Sequence, residues 1–72
     1  MNKDETLEQI GKQIREVRVS KQLTQEEVAY HSELARSYYG DIERGTRNVS
    51  AINLVSIAKA LNVQVGEFFP KI

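Results

Sequence analysis

The chain has 72 residues, with ten basic and ten acidic side chains, one histidine, no cysteine and a formal net charge of zero. That length holds one domain, near the small end for a free-standing core, so oligomerisation would help it. It excludes a disulfide framework, a thiolate zinc site and a multi-histidine metal centre, and no apolar run approaches the roughly 20 residues of a membrane span. The acidic start Met1-Asn2-Lys3-Asp4-Glu5 is unlike a signal peptide, so a soluble cytoplasmic protein without membrane, metal or cofactor is expected.

Zero net charge argues mildly against nucleic acid, because basic domains are its usual footprint. The distribution softens that objection. Residues 1–33 carry five basic and seven acidic side chains, residues 34–49 carry three against two, and the remainder two against one. A local arginine face can meet phosphates while the opposite side is acidic. Taken alone, the charges describe a solvated mixed surface.

In chain order, residues 1–6 read as a short flexible arm. Leu7, Ile10, Ile14 and Val17 recur at helical spacing to about Ser20, with Thr6 as a cap. Thr24 followed three residues later by Glu27 forms a capping box that opens a second helix. Its apolar pattern breaks at Ser32-Glu33. A third helix over about 35–44 follows, with Leu34, Tyr39 and Ile42 near one face, and Gly45 stops it. Ser50 caps a fourth helix, whose apolar set is Leu54, Ile57, Ala58 and Leu61, and Asn62 suits its end. Val63, Val65, Phe68 and Phe69 suggest a short fifth helix stopped by Pro70. No strand-type alternation or internal repeat is visible. The expected fold is all-α, a compact five-helix bundle.

Leu23-Thr24-Gln25-Glu26-Glu27-Val28-Ala29, then Arg36-Ser37-Tyr38 and Asp41-Ile42-Glu43-Arg44-Gly45, resemble the Cro/phage-repressor type of helix-turn-helix. So do Arg44-Gly45-Thr46-Arg47-Asn48-Val49-Ser50 and Ile57-Ala58-Lys59-Ala60-Leu61. The pattern covers roughly Ile10 to Phe69 and looks closest to the controller proteins of restriction–modification systems. The resemblance implies the lambda-repressor-like five-helix architecture, with a DNA-binding domain over residues 7–72 and helices two and three as the helix-turn-helix.

Four positions depart from the family pattern. Glu33 stands where glycine usually makes the turn, and a left-handed backbone there is strained for a side chain. Ala35 replaces a capping serine or threonine, a loss of about 1 kcal/mol. Gly40 costs up to about 1 kcal/mol against alanine inside a helix, though it could let the backbone approach DNA closely. Val49 replaces a common proline.

A recognition helix needs polar side chains on the face that enters the major groove. With Leu34, Tyr39 and Ile42 inward, Arg36, Ser37, Gly40 and Asp41 face out. The family's base-contacting positions fall on Arg36, Ser37 and Asp41. Arg36 can read guanine through two bonds. Ser37 can reach a base or a phosphate. Asp41 can accept from cytosine or else orient Arg36 one turn away. The plain alternative for Arg36 is a surface arginine paired with Glu33 or Asp41.

Candidate DNA-backbone contacts are Thr24 and Gln25 at the start of helix two, Tyr38, and Arg44, Thr46, Arg47 and Asn48 around the end of helix three. Tyr38 would serve equally in core packing, and Arg47 could pair with Glu43. Glu43 itself looks structural, with Arg15 as its suggested partner. His31 reads as an exposed helix residue without a catalytic partner, and no enzyme is expected.

Val65, Phe68, Phe69, Pro70 and Ile72 form an apolar end. One phenylalanine is expected in the core and one at a dimer surface. The sequence therefore points to a transcription regulator that binds double-stranded DNA as a homodimer on a partly palindromic operator, with RNA polymerase a further partner if it activates. The alternative is an antitoxin or other protein-binding regulator on the same fold.

Overall fold

The computed structural model describes residues 2–71, so the interface role expected of Ile72 lies outside the described residues. Four α-helices, α1 (Lys3–Ser20), α2 (Gln25–Ser32), α3 (Arg36–Arg44) and α4 (Ala51–Leu61), are followed by one turn of 3₁₀ helix over Val65–Phe68. Among the described residues there is no strand. The expected fifth α-helix is thus a single tighter turn. Only seven residues separate the stop at Asn62 from Pro70, and Phe69, which precedes the proline, is extended (φ −93°, ψ 140°). A residue before proline is pushed out of the helical region, so α-helical hydrogen bonding has no room to develop.

The other difference is at the N-terminus. α1 begins at Lys3, capped by the Asn2 side chain, whose Oδ1 accepts from the Glu5 amide at 2.8 Å. The expected Thr6 cap is instead inside the helix, where its hydroxyl donates to the Asn2 carbonyl at 2.9 Å. Residues 3–6 are helical and not an arm. Asparagine is among the strongest N-caps, and Asp4 and Glu5 in the first turn suit the positive end of the helix dipole.

The core gathers Ile10 and Ile14 of α1, Val28 and Ala29 of α2, Tyr39 and Ile42 of α3, Leu54, Ile57, Ala58 and Leu61 of α4, and Phe68. α1 crosses α3 at close range because Gly11 lacks a side chain. A Cβ there would lie 2.3 Å from the Ile42 carbonyl oxygen.

All four helices stop in the same way. At the ends of α1, α2, α3 and α4, Gln22 (φ 60°), Glu33 (φ 58°), Gly45 (φ 74°) and Asn62 (φ 58°) adopt the left-handed conformation. In each case the following amide reaches back over the last turn: Leu23 to Arg18, Leu34 to Ala29, Thr46 to Asp41 and Val63 to Ala58, at 2.9–3.2 Å. The apolar residue after the stop, Leu23, Leu34 or Val63, then packs against the core. Glycine and asparagine take this conformation readily, whereas glutamate pays a steric cost for its Cβ.

The turn between α2 and α3 therefore keeps its geometry despite Glu33. Glu33→Gly is expected to stabilise the protein by about 1 kcal/mol, since the left-handed region costs a side-chain-bearing residue roughly 1–2 kcal/mol and glycine's unfolded-state entropy offsets part of that. Thermal or urea unfolding checks this, with a shift to higher midpoint as the expected result.

Candidate nucleic-acid interface

The helix-turn-helix opens with a complete capping box. Thr24 Oγ1 accepts from the Glu27 amide at 3.1 Å, and Glu27 Oε1 accepts in return from the Thr24 amide at 2.9 Å. Hydrogen bonding to the Thr24 backbone also draws the Glu27 carboxyl below the usual carboxylate range. This box fixes the first turn of α2, from which Gln25 extends towards α3.

Beneath that point lies the anchor of the motif. Glu43 is on the inward face of α3 with its side chain 2% exposed. Its Oε2 accepts from Arg18 Nε at 2.6 Å and from the Tyr39 hydroxyl at 2.5 Å. Its Oε1 accepts from Arg18 Nη2 at 3.1 Å and from Gln25 Nε2 at 2.9 Å. Arg18 Nη1 donates in turn to the Leu23 carbonyl at 2.8 Å. Arg18, Gln25, Tyr39 and Glu43 thereby tie α1, α2 and α3 together.

Burial alone would raise the Glu43 carboxyl, but the bonds from Arg18, Tyr39 and Gln25 outweigh it and hold the group below its ordinary range. Burial and the bond to Glu43 push the Tyr39 phenol far above its own. The bond to Glu43 raises Arg18 further.

The suggested Arg15–Glu43 pair is not formed. Ile10, Ile14 and Arg18 share one face of α1 at four-residue spacing, whereas Arg15 is turned away and exposed. Glu43 is equally unavailable to Arg47.

α3 presents Arg36, Ser37 and Arg44 to solvent, with Tyr38 and Asp41 half-buried. Ala35 precedes the helix without a side-chain cap, as its methyl group dictates. Arg36 forms no ion pair or hydrogen bond among the described residues, so neither Glu33 nor Asp41 holds it. Asp41 is engaged elsewhere: it pairs with Arg44 one turn on and, more loosely at 3.4 Å, with Arg47. The suggested orientation of Arg36 by Asp41 is therefore replaced by a hold on the two arginines at the far end of the helix. Gly40, expected to face outward, is buried, because neighbouring side chains cover it.

Beyond α3, the Arg47 guanidinium stands 5.4 Å from the centre of the Tyr38 ring. Asn53 Nδ2 donates to the Tyr38 hydroxyl oxygen at 3.0 Å, which leaves the phenolic hydrogen free to donate outward. Thr46 Oγ1 makes a long bond (3.3 Å) to the Asp41 carbonyl, and Asn48 is exposed. Thr24, Gln25, Arg36, Ser37, Tyr38, Asp41, Arg44, Thr46, Arg47 and Asn48 thus belong to the helix-turn-helix and the loop that follows it. Asn53 was missed, since nothing in its local sequence points at Tyr38, 15 residues earlier.

The residues named for self-association divide. Phe68 is 0% exposed and belongs to the core, so it is withdrawn as an interface residue; its ring closes the space between α1 and α4. Phe69 is 46% exposed, and Val65 and Pro70 are half-buried. A second apolar surface was overlooked on α4, where Ile52 is 78% and Val55 41% exposed, beside Ala51, Ser56 and Lys59. The signal was present: Ile52, Val55, Ser56 and Lys59 follow helical spacing off the Leu54–Ile57–Ala58–Leu61 stripe.

Among the described residues, no group of acidic, histidine or cysteine side chains could hold a metal ion, and no helix is long and apolar enough to cross a membrane.

Residues 14–68 match a family model described as helix-turn-helix. The control protein C.BamHI of Bacillus amyloliquefaciens is 51% identical over 55 residues, which span 75% of this chain and 68% of that protein. The crystal structure of the restriction–modification controller protein C.AhdI from Aeromonas hydrophila superposes with a TM-score of 0.86 at 46% identity, covering 88% of this chain and 96% of that one. The controller protein C.Esp1396I, solved as a tetramer in complex with its natural 35 base-pair operator, superposes with a TM-score of 0.79 at 39% identity, covering 86% and 82%.

The anchor makes stability depend on acid in a defined direction. Because the native Glu43 carboxyl lies below its unfolded value, near about 4.3 for glutamate, its contribution is complete above that pH and is lost as pH falls through the native value. Tyr39→Phe should cost roughly 1.5–3 kcal/mol at neutral pH, the worth of a hydrogen bond to a charged group, and the difference from the parent should shrink on acidification. Urea unfolding followed by circular dichroism at neutral and at acid pH measures both.

Proposed function

The chain belongs to the helix-turn-helix family of DNA-binding transcription regulators, and on that premise we propose that it is a sequence-specific regulator acting as a homodimer on a partly palindromic operator. The observation that carries this reading is the state of α3. It offers Arg36 unpaired and Ser37 exposed at its N-terminal end, the end that such helices direct at base edges.

In this reading α3 enters the major groove. Arg36 donates two bonds to guanine, Ser37 meets a base or a phosphate, and Asp41 accepts from cytosine. Thr24 and Gln25 grip one strand's phosphates from the start of α2. Tyr38, Arg44, Thr46, Arg47 and Asn48 grip the backbone at the other edge of the groove. The operator complex of C.Esp1396I supports DNA as the partner.

The test is selection from a random duplex pool, with the parent and with Arg36→Ala. A paired half-site is expected from the parent, and the variant should relax one base position at a cost of roughly 1–3 kcal/mol. Equal binding of all duplexes by the parent refutes the reading.

Pairing of two copies follows from the small size of one module and from the apolar side chains left uncovered. Ile52 and Val55 on α4 and Phe69 near the C-terminus, with Val65 and Pro70, are the residues assigned to the contact. Ile52 contributes almost no core packing, so Ile52→Asp should leave the thermal midpoint nearly unchanged. It should shift the protein to monomer in sedimentation and weaken operator binding. A dimer that persists unchanged removes α4 from the interface.

A further inference from the structure

Gly40 sits in the interior of α3 with no need for glycine in its backbone, since Gly45 is the glycine of positive φ among the described residues. Alanine forms helix better at such a position. What the missing side chain provides is space. A Cβ on Gly40 would lie 3.1 Å from Arg36 Nη1, 3.4 Å from Arg44 Nη1 and 3.6 Å from Gln25 Oε1.

Arg36 is one turn before Gly40 and Arg44 one turn after it, so two guanidinium groups converge over the same bare stretch of helix. Like charges do not gather there spontaneously. Asp41 holds Arg44 from one side, and the Gln25 carboxamide, its Nε2 fixed by Glu43, turns its oxygen towards the same point. Two guanidinium donors and one carboxamide oxygen thus surround a stretch of backbone that has no side chain of its own.

We propose that Gly40 is a DNA-contact position: its bare backbone forms a notch in which the Arg36 and Arg44 guanidinium groups, with the Gln25 carboxamide oxygen beside them as a local acceptor, act together as one receptor for an electronegative acceptor of DNA. The acceptor is either the O6/N7 edge of a guanine or a phosphate oxygen, both of which arginine pairs bind through two donors. A methyl group in the notch displaces the Arg36 guanidinium and parts the cluster, while the helix itself gains. This inference rests on the proposed DNA-binding reading and gives one position within it a role.

The experiment measures thermal stability and binding to a selected operator duplex for the parent, Gly40→Ala and Gly66→Ala. The last is a control, because a Cβ at Gly66 meets nothing within 4 Å. Gly40→Ala is expected to hold or raise the thermal midpoint and to weaken operator binding about tenfold, part of the worth of a bidentate contact. In the Arg44→Ala background the loss should largely vanish, because the cluster is already broken.

Loss confined to one base position identifies the guanine edge. Uniform loss with a shallower salt dependence identifies a phosphate. Both support the proposal. Unchanged binding, or a loss of the same size in the Arg44→Ala background, overturns it. Failure of the parent to prefer any duplex is a different result and strikes the DNA-binding reading itself.

Discussion

The Glu43 carboxylate and the three side chains that donate to it hold this structure together at the point where α1, α2 and α3 meet. A buried carboxylate is costly unless every lone pair is used, and here Arg18, Tyr39 and Gln25 supply four bonds. Each donor has a different task. Arg18 fastens α1 and, through the Leu23 carbonyl, the turn that leads into α2. Tyr39, one turn before Glu43 on α3 itself, fixes the orientation of the carboxylate. Gln25 carries the network to the surface at the start of α2.

That arrangement explains how a chain with no net charge can present a local arginine face. Arg18 is neutralised internally, so it adds nothing to the surface field. Arg36, Arg44 and Arg47 stand near one another on and after α3, with Asp41 as a local counterweight. Much of the acidic surplus lies in the first half of the chain, on α1 and α2. Asp41 restrains two arginines in the free protein, and a phosphate that approaches them must compete with it. The net charge around α3 is therefore small, and in the proposed reading sequence-dependent contacts would carry more of the affinity than in a strongly basic domain.

Most of the architecture was readable from the sequence where local chemistry decided it. Thr24–Glu27, Gly45, Ser50 and Asn62 marked helix ends because capping depends on residues within one turn of each other. The errors arose where the deciding contact was distant or where two local signals competed. Arg15 and Arg18 are both near the end of α1, and only the face set by Ile10 and Ile14 tells them apart. Asn2 outranked Thr6 because it also placed Asp4 and Glu5 in the first turn. The Val65–Phe68 segment had the apolar spacing of a helix, but Pro70 left no length for one. The role of Asn53 behind Tyr38, the burial of Gly40 and the exposure of Ile52 follow from packing between helices, which spacing along one helix does not encode. Phe68 and Phe69 show the same limit: adjacent identical residues, one in the core and one at the surface.

The account joins a rigid anchor to an exposed helix face and assigns DNA to that face. The most direct measurement is a titration of the isotope-labelled protein with a selected operator duplex, followed through its backbone and arginine side-chain resonances. The account predicts that shifts concentrate at Thr24 and Gln25, along Arg36 to Asp41, and from Arg44 to Asn48, while Arg18 and Tyr39 keep their environment. Shifts centred on the outer face of α1, or none on α3, would contradict it.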